Sequence, residues 1–221
     1  MTTFALIGAG PGLGLSTARL FGAAGHSVAL IARNTQRLDG LTAELAGDGI
    51  EARGFAADVL DIESLTAALY TAAAALGPIE ILQYSPVPRA DFMKAVLDTS
   101  ADDLDAPLAF SVKGAVTAVN AVLPGMRELG RGTLLFVNGS SAVRPNPNVA
   151  GTSIAFAAES AYAVMLHDTL APQNIHVAQL IIPGAIRPDA EHSSPDALAQ
   201  RLYAIHRERA AFRHYAEPLP D

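Results

Sequence analysis

The sequence predicts an α/β fold, a single doubly wound parallel sheet with helices on both faces, with all 221 residues in one domain. Three observations predict it. Short apolar runs alternate with alanine-rich helical stretches, at the rhythm of βαβ units. The runs "FALI", "VALIA" and "TLLFV" are apolar throughout, as parallel strands covered on both faces must be. No linker, low-complexity tract or internal repeat divides the chain. The right-handed crossover rule then favours the doubly wound arrangement.

Taken in order, Phe4-Ala5-Leu6-Ile7 reads as a buried strand ending in glycines, and Leu15 to Ala24 as a helix stopped by Gly25. Ser27 to Ala32 is a second strand. Gln36 to Ala46 is a helix with Leu38, Leu41 and Leu45 on one face. Ala52 to Ala57 is a weaker third strand. Asp61 is placed to cap a helix from Ile62 to Leu76. Pro78 to Tyr84 is a fourth strand, followed by an acidic, proline-bearing stretch from Ser85 to Pro107. Leu108 to Leu129 reads as a long helix and Gly132 to Val137 as a fifth strand. A loop with two prolines, Ser140 to Gly151, precedes a long helix from Ser153 to Leu170. Ile175 to Ile182 is a sixth strand, and Pro195 to Arg213 a last amphipathic helix.

Half of the residues are hydrophobic and 17% are charged, ample for a buried core. A net charge of −7 and the lack of any Lys/Arg run argue against nucleic acid and anionic membrane as partners. There are no cysteines, which excludes disulfides, thiolate metal sites and a Cys nucleophile. The histidines show no metal-ligand spacing, so no metal is assigned. The N-terminal run is too short for a signal peptide or a membrane span, and a cytoplasmic location is the default expectation.

The segment Gly8-Ala9-Gly10-Pro11-Gly12-Leu13-Gly14 follows a strand and opens a helix. In that context glycines permit a sharp turn, close approach of backbone to a pyrophosphate and tight helix–sheet packing. The helix N-terminus adds free N–H groups and partial positive charge. The plain alternative is a glycine-rich turn without a ligand. The spacing fits GxxxGxG, as Gly8, Gly12 and Gly14, better than GxGxxG. With "GPIEIL", "KGAVTAVNAVLPGM", "GTLLFVNGSSA" and "LAPQNIHVAQLIIPG", it resembles the short-chain dehydrogenase/reductase family over nearly the whole chain. The resemblance implies a Rossmann-type sheet of about seven parallel strands, a nicotinamide dinucleotide on the Gly8, Gly10, Gly12, Leu13 and Gly14 loop, and a small-molecule substrate. It also implies a homodimer or homotetramer formed through the two long helices.

The second strand ends at Ala32-Arg33-Asn34. An acidic residue there would accept hydrogen bonds from the ribose hydroxyls and repel a 2′-phosphate; an arginine does the reverse. Arg33, with Arg37 one turn on and Asn34 between them, therefore points to NADP(H) in preference to NAD(H). The alternative is a solvated arginine at a strand end. Asp58-Val59 matches the family's adenine-binding position, although a carboxylate there also serves to hold a loop. Pro183-Gly184-Ala185-Ile186 resembles the family's turn that meets the nicotinamide carboxamide. Arg187 and Pro188 stand where a threonine usually follows.

The resemblance fails at the catalytic residues. Family enzymes carry Tyr-x-x-x-Lys on the helix after the fifth strand, the tyrosine moving a proton and the lysine lowering its pKa. Here that helix begins "GTSIAFAAESAYAVML" and contains no lysine. Ungapped alignment puts Thr152 at the tyrosine and Phe156 at the lysine, and Ser111 at the supporting asparagine. Of Ser140 and Ser141 after the fifth strand, Ser140 is carried over as the family's serine. Tyr84, at the end of a central strand, is the first candidate for a relocated acid, with pocket lining as its other reading. Glu159 is unusual on a small, apolar helix; it either faces the pocket or an interface, or is an ordinary exposed carboxylate. Two readings remain: an NADP(H)-dependent oxidoreductase with a non-standard site, or a non-catalytic dinucleotide-binding sensor or partner subunit.

Overall fold

A computed structural model describes residues 1–219. Seven parallel strands form one sheet in the order β3-β2-β1-β4-β5-β6-β7. They are β1 (Thr3–Ile7), β2 (Ser27–Ala32), β3 (Ala52–Ala56), β4 (Ile79–Tyr84), β5 (Gly132–Gly139), β6 (Ile175–Ile182) and β7 (Arg213–Tyr215). β1 pairs with β2 on one side and β4 on the other, so Ile7 stands between Ile31 and Tyr84. The chain direction of the crossovers reverses here, and a crevice opens beyond the strand ends, as in other doubly wound sheets.

The helices divide between the two faces. α1 (Leu13–Ala23), α2 (Thr35–Gly47) and α7 (Pro195–Glu208) cover one, closing a core of Phe4, Leu6, Phe21, Leu30, Leu45 and Leu202. α3 (Ile62–Leu76), α5 (Gly114–Leu129) and α6 (Ala150–Leu170) cover the other, around Ile7, Leu69, Leu82, Val119, Phe136 and Val177. β1 and β6 are buried along their whole length, which is why their sequences carry no polar alternation. α3 has the predicted bounds, because Asp61 accepts from the Ser64 N–H at 2.9 Å and ends the preceding loop.

Three elements depart from the sequence-based expectation. The stretch before the first long helix is made of short 3₁₀ turns, Ala90–Phe92, Val96–Asp98 and Asp102–Leu104, whose Phe92 is buried. It is pinned by Ala150 N–H to Lys94 O at 2.8 Å and Val96 N–H to Pro147 O at 2.8 Å. The long helix itself starts earlier, at α4 (Asp105–Leu108), and passes through a π-helical segment, Ala109–Lys113, before α5. The run Asp102–Leu129 is long and apolar enough to cross a membrane, yet Phe110, Ala115, Val119 and Val122 on it are packed in the core. The last helix stops at Glu208, where Arg209 turns left-handed at φ 51°, and the chain re-enters the sheet as β7.

Candidate active site

A cleft of about 1230 Å³ lies along the C-terminal ends of the strands. Its floor is the glycine loop, and each glycine there has a distinct physical reason. Gly8 sits at φ +91°, and a Cβ on it would come within 2.6 Å of Ser85 O and Pro86 Cα. The turn after β1 and the turn after β4 thus cross in backbone contact. Gly14 brings α1 onto the sheet, since its Cβ would lie 3.2 Å from Leu6 Cδ2. A Cβ on Gly10 or Gly12 would meet nothing within 4 Å, so both face open space in the cleft. Gly12 caps α1 without a side-chain hydrogen bond, and no acidic residue occupies the first turn. Uncapped N–H groups above a concavity without side chains suit a pyrophosphate.

At the far end of the cleft, Arg33, Asn34 and Arg37 approach from the end of β2 and Asp58 and Val59 from beyond β3. Asn34 Oδ1 accepts from the Arg37 N–H at 2.8 Å and so caps α2. Asp58 divides its carboxylate: Oδ1 accepts from the Leu60 N–H at 3.0 Å, while Oδ2 stands 3.8 Å from Arg33 Nη1. That pair is loose and its arginine is 63% exposed, so the guanidinium is not committed to its partner. Gly184, at φ +77°, and Ile186 close the cleft beside β6. Pro183 lies between two residues that border it, Ile182 and Gly184.

At the other end, Ser140 and Ser141 line the cleft on the short turn after β5, with Asn138 on the strand itself. Thr152 and Phe156, at the aligned tyrosine and lysine positions, also line it. Both are buried, and Thr152 Oγ1 has no hydrogen-bond partner among the described residues. Ser111 is buried in the π-helical segment and does not border the cleft. Val87, Met93, Phe110 and Val149 complete an apolar wall that sequence reasoning did not nominate. They come from irregular segments or a π turn, where no periodic signal exists.

Tyr84 is displaced from the role expected of it. It is 2% exposed and absent from the cleft wall, and its hydroxyl donates to the Phe110 carbonyl. Burial first, and the proximity of Glu159 second, push the Tyr84 phenol well above its ordinary range. A proton held this way is not available to a ligand in the cleft.

Glu159 is buried rather than exposed. Asn138 Nδ2 donates to its Oε1 at 3.1 Å, and Gln179 Nε2 donates to Asn138 Oδ1 at 2.8 Å. Ser160 Oγ and Arg213 Nε both donate to Gln179 Oε1, at 2.9 and 3.1 Å, and Arg213 Nη2 donates to Ser160 Oγ at 2.8 Å. This chain of polar groups runs from the cleft wall at Asn138 to the edge strand β7. Burial pushes the Glu159 carboxyl up to about 8, against the opposing bond from Asn138, so it is protonated at neutral pH.

The short chain dehydrogenase family model matches residues 2–199, and the chain belongs to that family of oxidoreductases. Human dehydrogenase/reductase SDR family member 4 is 28% identical over 176 residues, covering 80% of this chain and 63% of the relative. The chain therefore spans less than two thirds of that relative's length. A short-chain dehydrogenase from Rhodopseudomonas palustris superposes with a TM-score of 0.86 at 25% identity, over 98% of each chain. A short chain oxidoreductase from Pseudomonas aeruginosa PAO1, described as containing an atypical catalytic center and bound to NADPH, superposes with a TM-score of 0.77 at 23% identity, over 92% of this chain and 76% of that one. The sheet is a nicotinamide dinucleotide-binding fold, and the open floor at Gly10 and Gly12 fits such a ligand.

Proposed function

We propose that the chain is an NADP(H)-binding oxidoreductase with a non-standard catalytic site, acting on a small carbonyl or alcohol compound. The observation that carries the reading is the cradle itself: Gly10 and Gly12 leave space where side chains would stand, with Arg33 and Arg37 at its adenosine end. In this reading the loop and the α1 N-terminus hold the pyrophosphate, and Arg33 pairs with a 2′-phosphate. Asp58 Oδ2 and Val59 border the adenine, and Gly184 and Ile186 flank the carboxamide. In this reading a bound nicotinamide would supply or accept a hydride, and Ser140, which lines the cleft, would hold the reacting oxygen.

Fluorescence titration with NADPH and NADH tests this reading. NADPH should bind more tightly, and Arg33→Ala should weaken NADPH by roughly tenfold to a hundredfold while leaving NADH unchanged, the scale of a lost hydrogen bond to a charged group. Absence of binding at millimolar cofactor, or tighter binding of NADH, overturns it. Thr152 and Phe156 favour a second reading, a dinucleotide-binding sensor or partner subunit that does no redox chemistry. Its signature is tight NADPH binding with no consumption across a carbonyl panel. We also infer self-association through the long helices, because Ile154, Val164 and Met165 on α6 are 44, 37 and 60% exposed. Sedimentation equilibrium decides that point, and a monomer at micromolar concentration refutes it.

A further inference from the structure

The lining of the cleft is chemically divided. Its ionisable side chains, among the described residues, are Arg33, Arg37 and Asp58, all at the adenosine end. The opposite end offers Ser140, Ser141 and Thr152 as hydroxyls, with Met93, Phe110 and Phe156 as apolar and aromatic surface. Aliphatic hydroxyls donate hydrogen bonds but hold their protons too tightly to act as general acids near neutrality. The Phe156 ring sits against the end of β5, where a Cβ on Gly139 would lie 3.9 Å from it. An uncharged aromatic side chain thus lines the cleft at the position aligned with the family's lysine.

This arrangement suits one kind of electrophile. Reducing a neutral carbonyl consumes a hydride and a proton, and the wall contains no group fitted to give the proton. Reducing an iminium consumes a hydride alone: a C–H bond forms, the C=N π pair returns to nitrogen, and the positive charge is discharged. The reductant is a reduced nicotinamide, which leaves oxidised. We propose that the Phe156 end of the cleft is a receptor for an organic cation with an apolar body, and that the substrate class is an iminium or protonated cyclic imine. This rests on the NADP(H)-binding part of the reading above and puts a C=N cation in place of its carbonyl compound. Aromatic rings attract cations, and Phe110 and Phe156 both line this end of the cleft. No lining lysine repels it, and the apolar wall takes its hydrocarbon.

The test uses the full chain loaded with NADPH and begins with binding rather than turnover. N,N-dimethyl tetrahydroisoquinolinium, which cannot be reduced, is titrated by calorimetry against its uncharged gem-dimethyl carbon isostere. The cation should bind about tenfold more tightly than the isostere, and Phe156→Leu should erase most of that difference. In a second measurement, NADPH consumption with N-methyl dihydroisoquinolinium should exceed that with α-tetralone by at least about a hundredfold, the scale of a missing general acid. Equal affinity for cation and isostere, or faster reduction of the ketone, overturns the inference. If Phe156→Leu does not fold, the wild-type pair of ligands still decides. NADPH binding with neither probe bound overturns this inference alone, whereas failure to bind NADPH overturns the underlying reading as well.

Discussion

Glu159→Gln is the substitution whose effect can be worked furthest from the structure. The amide keeps the oxygen that accepts from Asn138 Nδ2 and removes the ionisable proton. In the unfolded chain the carboxyl titrates near its ordinary value of 4.5, and in the fold at about 8, because burial disfavours the carboxylate. Between these values the folded chain holds one more proton than the unfolded chain, so stability falls as pH rises. The slope is about 1.4 kcal/mol per pH unit, and the full loss is about 5 kcal/mol once both states are ionised. All other groups are shared with the variant, so their titrations cancel in the difference. Urea denaturation of both proteins from pH 4 to pH 9 should give curves that agree at the acid end. They should separate steadily through neutrality in favour of the glutamine, and run parallel again above pH 8. Parallel profiles over the whole range would refute the assignment of a protonated, buried Glu159.

Three further perturbations separate ligand binding from folding. Gly10→Val should leave the melting temperature almost unchanged, since nothing lies within 4 Å of the new Cβ, while dinucleotide affinity falls by about a hundredfold in the same fluorescence titration. Gly8→Ala should do the opposite first: the left-handed φ and the 2.6 Å approach to Ser85 and Pro86 backbone cost about 3 kcal/mol, read by denaturant unfolding. Tyr84→Phe strips the Phe110 carbonyl of its buried donor and should cost about 1–3 kcal/mol of stability with NADPH affinity unchanged. A variant as stable as wild type would show that the bond contributes nothing.

Much of this molecule is legible in the residues because its signals are local. Asp61 and the apolar face of Ile62–Leu76 set one helix to the residue. The apolar runs of β1 and β6 announce burial on both faces, and the glycine spacing marks the turn from β1 into α1. What escaped is set by distant partners. β7 exists because Arg213 reaches Gln179 and Ser160 across the sheet edge, and a three-residue strand has no periodicity to read. The helix before it ends at Arg209 in a left-handed conformation without the glycine that normally signals a stop. Tyr84 was placed correctly at the end of a central strand, but its hydroxyl is taken by the carbonyl of Phe110, which is distant in sequence. The apolar face of α6 offers no warning that Glu159 is buried, because its partner Asn138 lies on another element.

The backbone crossing at Gly8 has a consequence for anyone who would redesign this protein. The glycine turn after β1 and the segment Ser85 to Pro88 rest on one another with no side chain between them to yield. Loop grafts or insertions that re-aim Val87 would transmit their displacement directly to the glycine turn. Libraries that reshape the same space are therefore best confined to Met93 and Val149, which line the cleft away from that crossing.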